Sequence, residues 1–157
     1  MRVSAKSDYA LRVLFHLTEV YQGEQTRPVS IRTLAERNDI PRRFLEHIMI
    51  DLRSRGWVRS IAGREGGFVL GMDPDQITMG QVIRHFEGYI APIECVSATN
   101  YQACSQQPRC KFRRVFLEIR NLTAAVMDRA TLALVASGKP VVHCVVADET
   151  YADGAGI

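Results

Sequence analysis

The sequence predicts a mainly α protein with a small β-hairpin wing: a winged helix-turn-helix followed by a long dimerisation helix. Three observations carry this prediction. Apolar stripes at helical spacing come in the order helix, short helix, turn, helix between residues 7 and 55. Two short β-type runs come directly after them, joined by a glycine-rich tip. A second long amphipathic stretch begins at Lys111, beyond the point where a small domain has closed on itself. The chain is 157 residues long and 46% hydrophobic, enough to bury one core. It has no apolar run of the roughly 20 residues a bilayer requires, so no membrane partner is expected. Its start lacks the apolar core of an export signal, and a cytoplasmic protein is expected.

The first helix is expected over 7–22, with Ser7 as cap and Asp8 at the positive end of the helix dipole. Ala10, Leu11, Leu14, Phe15 and Leu17 form its stripe, and Gly23 stops it. A short helix over 29–37 takes Ser30 as its N-cap. Asn38-Asp39-Ile40-Pro41 makes the turn, with Pro41 at the first turn of the third helix. That helix runs from Arg42 to Arg55 with Phe44, Leu45, Ile48, Met49 and Leu52 inward, and Gly56 closes it. Strands are expected at 57–61 and 67–70, around the tip Ala62-Gly63-Arg64-Glu65-Gly66. There Gly63, Gly66 and Gly67 permit positive φ or close backbone approach. A fourth helix starts at the cap Thr78 and ends at Gly88.

The character then changes. Residues 89–110 hold three cysteines, two prolines and little periodicity, a loop longer than a compact domain needs for connection alone. The long helix runs from Lys111 to Asp128 and lines up Phe112, Val115, Phe116, Ile119, Leu122 and Val126. A stripe of this kind needs a cover, and a two-fold partner through 111–127 is the economical one. Thr131 caps a last turn through Val135, a short strand is expected over 141–146, and the end from Tyr151 is expected to be flexible. The organisation is therefore a winged helix-turn-helix over 1–88, a cysteine loop over 89–110, a dimerisation helix over 111–136 and a tail over 137–157.

The net charge of +3 is a poor guide, but its placement is informative. Seventeen of the 20 basic residues are arginine, the fork-shaped donor suited to phosphates and guanine edges. Residues 30–64 contain eight arginines against four acids, and residues 109–114 carry another +4, so the rest of the chain is net acidic. Arg42 and Arg43 open the candidate recognition helix, where side chains meet bases and phosphates of double-stranded DNA. Glu46 and His47, a turn further on, face the groove. Arg59 and Arg64 flank and tip the wing, within reach of phosphates or a narrow minor groove. Ser30, at the start of the short helix, joins this DNA-binding set. A solvated charged face is the plain alternative, and the helix order with its glycine wing favours DNA over it.

Cys95-x8-Cys104-x5-Cys110 is not a CxxC zinc pattern, and the fourth cysteine, Cys144, lies far away. Three thiolates and one further ligand suit an iron–sulfur cluster, 2Fe–2S in preference to 4Fe–4S. Cysteine-rich zinc sites want a fourth Cys or His close by. The basic run at 109–114 offsets the negative charge of a thiolate-ligated cluster. Unliganded or redox-active thiols, or zinc, remain the alternative. His16 and His47 are read as packing or DNA-facing residues, not ligands. An iron–sulfur carrier or a winged-helix adaptor is the rival of another class, and arginines at a helix start argue against it. An enzyme is not expected: His143 and Cys144 are neighbours on a strand and point to opposite faces.

The segments Ser7-Asp8-Tyr9-Ala10-Leu11-Arg12, Pro41-Arg42-Arg43-Phe44-Leu45-Glu46-His47-Ile48, Gly63-Arg64-Glu65-Gly66-Gly67-Phe68-Val69-Leu70 and Ile77-Thr78-Met79-Gly80-Gln81-Val82-Ile83 occur in this order. With three cysteines downstream, they resemble the IscR/NsrR (Rrf-two) family of bacterial winged-helix transcription regulators, over roughly residues 1–136. The resemblance implies a homodimer with crossed long helices and binding to a palindromic operator. In many members it also implies an iron–sulfur cluster that senses redox state, nitric oxide, iron or cluster supply. Three features depart from the family pattern. The first cysteine gap is longer than usual, Arg113 stands where one subgroup has a histidine ligand, and Ala62 stands where the wing often has arginine. Another subgroup uses an acid near the start of the first helix, contributed by the partner subunit. The implied ligand set is accordingly Cys95, Cys104, Cys110 and Asp8, with Asp8 the weaker, labile member.

Overall fold

A computed structural model describes residues 3–88 and 90–142. Its order is α1 (Ala5–Glu19), α2 (Ile31–Asn38), α3 (Arg42–Ser54), β1 (Val58–Ile61), β2 (Gly67–Leu70), α4 (Met79–Glu87), α5 (Phe112–Arg129) and α6 (Leu132–Ala136). Single 3-10 turns lie at Pro74–Gln76 and Glu94–Val96. This is the winged helix-turn-helix with a long helix after it that the sequence predicts.

One core joins the first four helices to the wing. Ala10, Val13, Leu14 and Leu17 of α1 meet Leu34 of α2 and Leu45, Ile48, Met49 and Leu52 of α3. Trp57, Val58 and Leu70 close it from the wing side, and Val82 of α4 from another. Leu132 of α6 also enters this core. It is held there by hydrogen bonds from its own N–H to the Ile77 carbonyl (2.9 Å) and from the Met79 N–H to the Ala130 carbonyl (2.8 Å).

Several expectations need correction. Ser4, not Ser7, caps α1: its hydroxyl accepts from the Ser7 N–H. Ser7 lies inside the helix and is fully buried, its hydroxyl donating to the Glu87 carboxylate at the end of α4. Phe44 is not a core residue. It is 40% exposed and meets the Tyr9 ring edge-on at a centroid distance of 5.7 Å. On α1 the fully buried line is Ala10, Val13, Leu14 and Leu17, with Leu11 and Phe15 only half-buried on its flank. α1 also ends at Glu19, before the expected residue 22, with Gly23 in the turn beyond it, and Phe116 of the predicted long-helix stripe packs beside Cys95. At the other caps the local signals hold. Thr78 and Gln81 form a reciprocal capping box, Gly88 ends α4 in the left-handed region (φ +76°), and Thr131 caps α6. Of the strand expected over 141–146, Val141 and Val142 form a bend, and the remainder, like Cys144 and the tail from 151, lies outside the described residues.

α5 packs on α4 and on the 3-10 turn around Cys95. Its opposite face is bare. Phe112, Val115, Ile119, Leu122 and Val126 are all exposed, Leu122 by 69%. Their spacing alternates three and four residues, the rhythm of a coiled-coil seam. Among the described residues, no helix is long and apolar enough to cross a membrane.

Candidate nucleic-acid interface and cysteine segment

The helix-turn-helix is built by local chemistry. The Ser30 hydroxyl accepts from the Thr33 N–H (3.1 Å) and fixes the start of α2. Asp39 ends α2 in the left-handed region (φ +52°), a conformation that a short polar side chain tolerates. Ile40 then drops into the core, and the Pro41 carbonyl accepts from Phe44 and Leu45 at the start of α3. With Leu45, Ile48, Met49 and Leu52 facing inward, helical spacing puts Arg43, His47 and Ile50 on the opposite, exposed face. Arg42 and Glu46 form an i,i+4 ion pair at 3.1 Å on its flank. His47 Nδ1 donates to the Arg43 carbonyl (2.8 Å), which leaves Nε2 as the free edge of the ring.

The wing is tied to this unit by contacts that local sequence patterns do not announce. β1 and β2 pair antiparallel with Val58 opposite Leu70 and Ile61 opposite Gly67. Val29 then adds to the other edge of β2: its N–H donates to the Phe68 carbonyl (3.0 Å), and its carbonyl accepts from the Phe68 N–H (2.9 Å). The wing is thereby bonded to the residue before the Ser30 cap. Of the three wing glycines, only Gly63 has positive φ (+120°). Gly67 serves by close approach, since a Cβ there would collide with the Val29 carbonyl and the Ser30 nitrogen. Arg59 and Arg64 are both exposed, one on β1 and the other at the tip.

The three cysteines of the second segment occupy different surroundings. Cys95 sits in the 3-10 turn, buried with Ala91 and Val96 against Ile93, Phe116 and Leu117. Its carbonyl accepts from the Arg113 guanidinium (3.3 Å), so Arg113 acts here as an anchor between the turn and α5. Cys104 is exposed in a turn closed by the Gln107 N–H, and Cys110 is half-buried just before α5. All three are free thiols. Asp8 lies on α1, paired with Arg12 at 2.7 Å. Thiolate is the right kind of donor for an iron–sulfur cluster, but this conformation does not gather the thiols. Among the described residues no three His, Cys, Asp or Glu side chains lie close enough together to hold a metal ion.

A model of the Rrf2 family, described as iron-dependent transcriptional regulators, matches residues 3–138. The chain belongs to the Rrf2 family. It is 35% identical over 142 residues to an Rrf2-like HTH-type regulator of Rhodobacter capsulatus, across 88% of this chain and 95% of that protein. It is 36% identical over 132 residues to the regulator NsrR of Bacillus subtilis, across 84% and 88%. It is 35% identical over 137 residues to CymR of the same organism, across 87% and 91%. The solved structure of that CymR, described as its global cysteine regulator, superposes with a TM-score of 0.73 at 30% identity, covering 88% of this chain and 98% of that one. This Rrf2 protein is thus a transcription regulator that acts on DNA, as its fold and arginine placement predict.

Sequence reasoning missed several residues of the Rrf2 chain that hold the interface in position. Glu87 accepts from the Ser4 N–H (3.0 Å), the Ser4 hydroxyl (2.6 Å) and the Ser7 hydroxyl, joining the end of α4 to the start of α1. Burial works to raise its pKa, but the hydrogen bonds from Ser4 and Ser7 outweigh burial and hold it below the ordinary carboxylate value. Lys6 pairs with Asp51 of α3 at 2.8 Å. His16 packs in the core face of α1, where burial first and the Arg37 charge second lower its pKa. His85 is lowered chiefly by burial and then by Arg55, and its ring stands edge-on to Trp57. The pairing of Ser4 and Ser7 with Glu87, 80 or more residues away, had no local signal.

Proposed function

We propose that this Rrf2 regulator works as a homodimer, joined through the 111–127 face of α5, that binds a palindromic operator and adjusts its affinity through an iron–sulfur cluster. The observation that carries the dimer is the bare seam of Phe112, Val115, Ile119, Leu122 and Val126, five apolar side chains in coiled-coil rhythm with nothing over them. A two-fold axis through that seam would set two recognition helices at a fixed spacing, as a palindrome requires. The DNA-contacting set is Ser30, Arg42, Arg43, Glu46, His47, Arg59 and Arg64. Changing Arg42 and Arg43 together to alanine is expected to abolish operator binding, and changing either one alone to flatten its salt dependence, since each arginine–phosphate contact releases a counterion.

Cys95, Cys104 and Cys110 of one subunit, with Asp8 of the other, are the proposed cluster ligands, for 2Fe–2S in preference to 4Fe–4S. The iron-dependent description of the family and the thiolate donor chemistry support this. Loading would require Cys95 to leave its apolar contacts with Phe116 and Leu117, so the loaded and empty states would differ at the base of α5. Protein purified without oxygen is expected to absorb visible light and to contain iron and acid-labile sulfide, with Mössbauer spectroscopy giving the cluster type. Colourless, iron-free protein that still binds DNA would overturn the cluster part alone.

A second reading keeps the DNA and drops the cluster, with the three cysteines acting as redox-active thiols or holding zinc. The burial of Cys95 apart from Cys104 and the likeness to a cysteine regulator favour it. Metal analysis of the same anaerobic preparation separates the two.

A further inference from the structure

On the exposed face of α3, between polar residues, stands Ile50, 56% exposed. Arg43 and His47 precede it on the same line, and Glu46 lies one turn before it. A lone exposed isoleucine is ordinary. This one is a wall of a small cleft of about 180 Å³, which it lines with Ile31, Met49 and Phe68, while Glu46 and Arg53 form the rim. The cleft therefore lies between the start of α2, the recognition helix and the wing strand β2, the three elements that a winged helix-turn-helix sets against the duplex. It is too small for an ordinary metabolite, whose sites are typically about 300 Å³ or more. A second copy of this surface would be repelled, since residues 30–64 carry an excess of four positive charges. The same charge attracts DNA.

We infer that this notch is a receptor for the 5-methyl group of a thymine, and that Ile50 is a specificity-determining residue of the operator contact. The thymine methyl is the one apolar group displayed on the floor of the major groove. Ile31, Ile50 and Phe68 offer it apolar contact. Arg53 at the rim is suited to a flanking phosphate, and the Glu46 carboxylate to the amino group of a neighbouring cytosine or adenine. Arginine–phosphate contacts supply affinity without regard to sequence, while the notch contributes discrimination at one base pair of each half-site. This inference rests on the DNA-binding reading and adds a residue, Ile50, to it.

The test uses the full chain and a duplex selected by it from a random-sequence library. Each thymine of the selected site is replaced in turn by deoxyuridine, which removes only the methyl. Wild-type affinity is expected to fall by about fourfold for each methyl lost at one thymine per half-site. Ile50→Ala is expected to bind the thymine and deoxyuridine duplexes equally, with an unchanged urea midpoint because the side chain is mostly in water. Arg53→Ala is expected to weaken both duplexes and keep their ratio. A wild-type protein indifferent to the methyl at every thymine overturns the inference, as does an Ile50→Ala variant that keeps the wild-type ratio. Failure to select any sequence overturns the DNA reading itself and the notch with it.

Discussion

Replacing Gly67 by alanine probes the joint between the wing and the helix-turn-helix. Gly67 is not at positive φ, so alanine meets no backbone strain there. Its Cβ would instead run into the Val29 carbonyl and the Ser30 nitrogen, backbone atoms that no rotamer change can move aside. β2 would have to part from Val29, losing the hydrogen bonds of 3.0 Å and 2.9 Å between Val29 and Phe68. At about 0.5–1.5 kcal/mol net for each bond, the loss is about 1–3 kcal/mol. Alanine returns about 0.4–1 kcal/mol by restricting the unfolded chain. The expected outcome is a net destabilisation of about 1–2 kcal/mol, or roughly 2–8 °C in melting temperature for a chain of this size. Urea denaturation monitored by circular dichroism measures it. DNA affinity should fall further than stability accounts for, because the Ser30 cap and the wing tip would lose their fixed relation. An unchanged or raised urea midpoint would refute the reasoning, since it would mean that Val29 and β2 are free to yield.

The same geometry sets three further outcomes. Arg64→Ala, at the exposed wing tip, should weaken DNA binding with little change in stability, which titration at two salt concentrations and a melt together check. Leu122→Asp should shift sedimentation towards monomer and weaken operator binding in parallel: burying a leucine is worth about 1.5–3 kcal/mol and the seam would count it twice. Glu87→Gln should lower stability near neutral pH. Because the folded pKa of Glu87 lies below its unfolded value, its contribution is present above the unfolded pKa and is lost as pH falls through the folded one. The difference between wild type and variant should therefore shrink in urea melts as pH is lowered through the acidic carboxylate range. A gap that stayed constant with pH would assign the effect to packing instead.

The parts legible in the sequence are those decided within one or two helical turns. Thr78, Gly88 and Thr131 each carry their own signal, and the structure places them as that signal directs, whereas Phe116 leaves the predicted stripe of α5 to pack beside Cys95. Ser4 and Ser7 show where this ends. Either serine can cap a helix that begins nearby, and the choice is made by Glu87, which draws the Ser7 hydroxyl into the interior. Phe44 has core spacing on α3, yet it lies at the edge of the stripe and finds Tyr9 instead of the interior. The pairing of Val29 with Phe68 spans 39 residues and involves backbone groups only, so no residue type reveals it. In the candidate site, Arg42, Arg43, Arg59 and Arg64 were readable because exposed charge is itself the signal. The arrangement of Cys95, Cys104 and Cys110 was not. Closeness in the chain says nothing of the packing of Cys95 against α5, which turns one thiol inward while another stays in water.

The start of α1 is where the two halves of the regulator meet. On one side, Lys6 pairs with Asp51 and Tyr9 meets Phe44, both residues of the recognition helix. On the other, Ser4 and Ser7 hold Glu87, the last residue of α4, from which the chain runs into the cysteine segment. The ion pair is partly exposed and contributes little by itself. The serine–carboxylate joint is different, because Ser7 is wholly buried and, besides Glu87, its hydroxyl meets the Ser4 hydroxyl at a long 3.4 Å. Leaving a buried hydroxyl unpaired costs about 1–3 kcal/mol, more than the bond itself is worth on balance. The start of α1 therefore ties α3 to the end of α4, through Lys6 and Tyr9 on one side and Ser4 and Ser7 on the other.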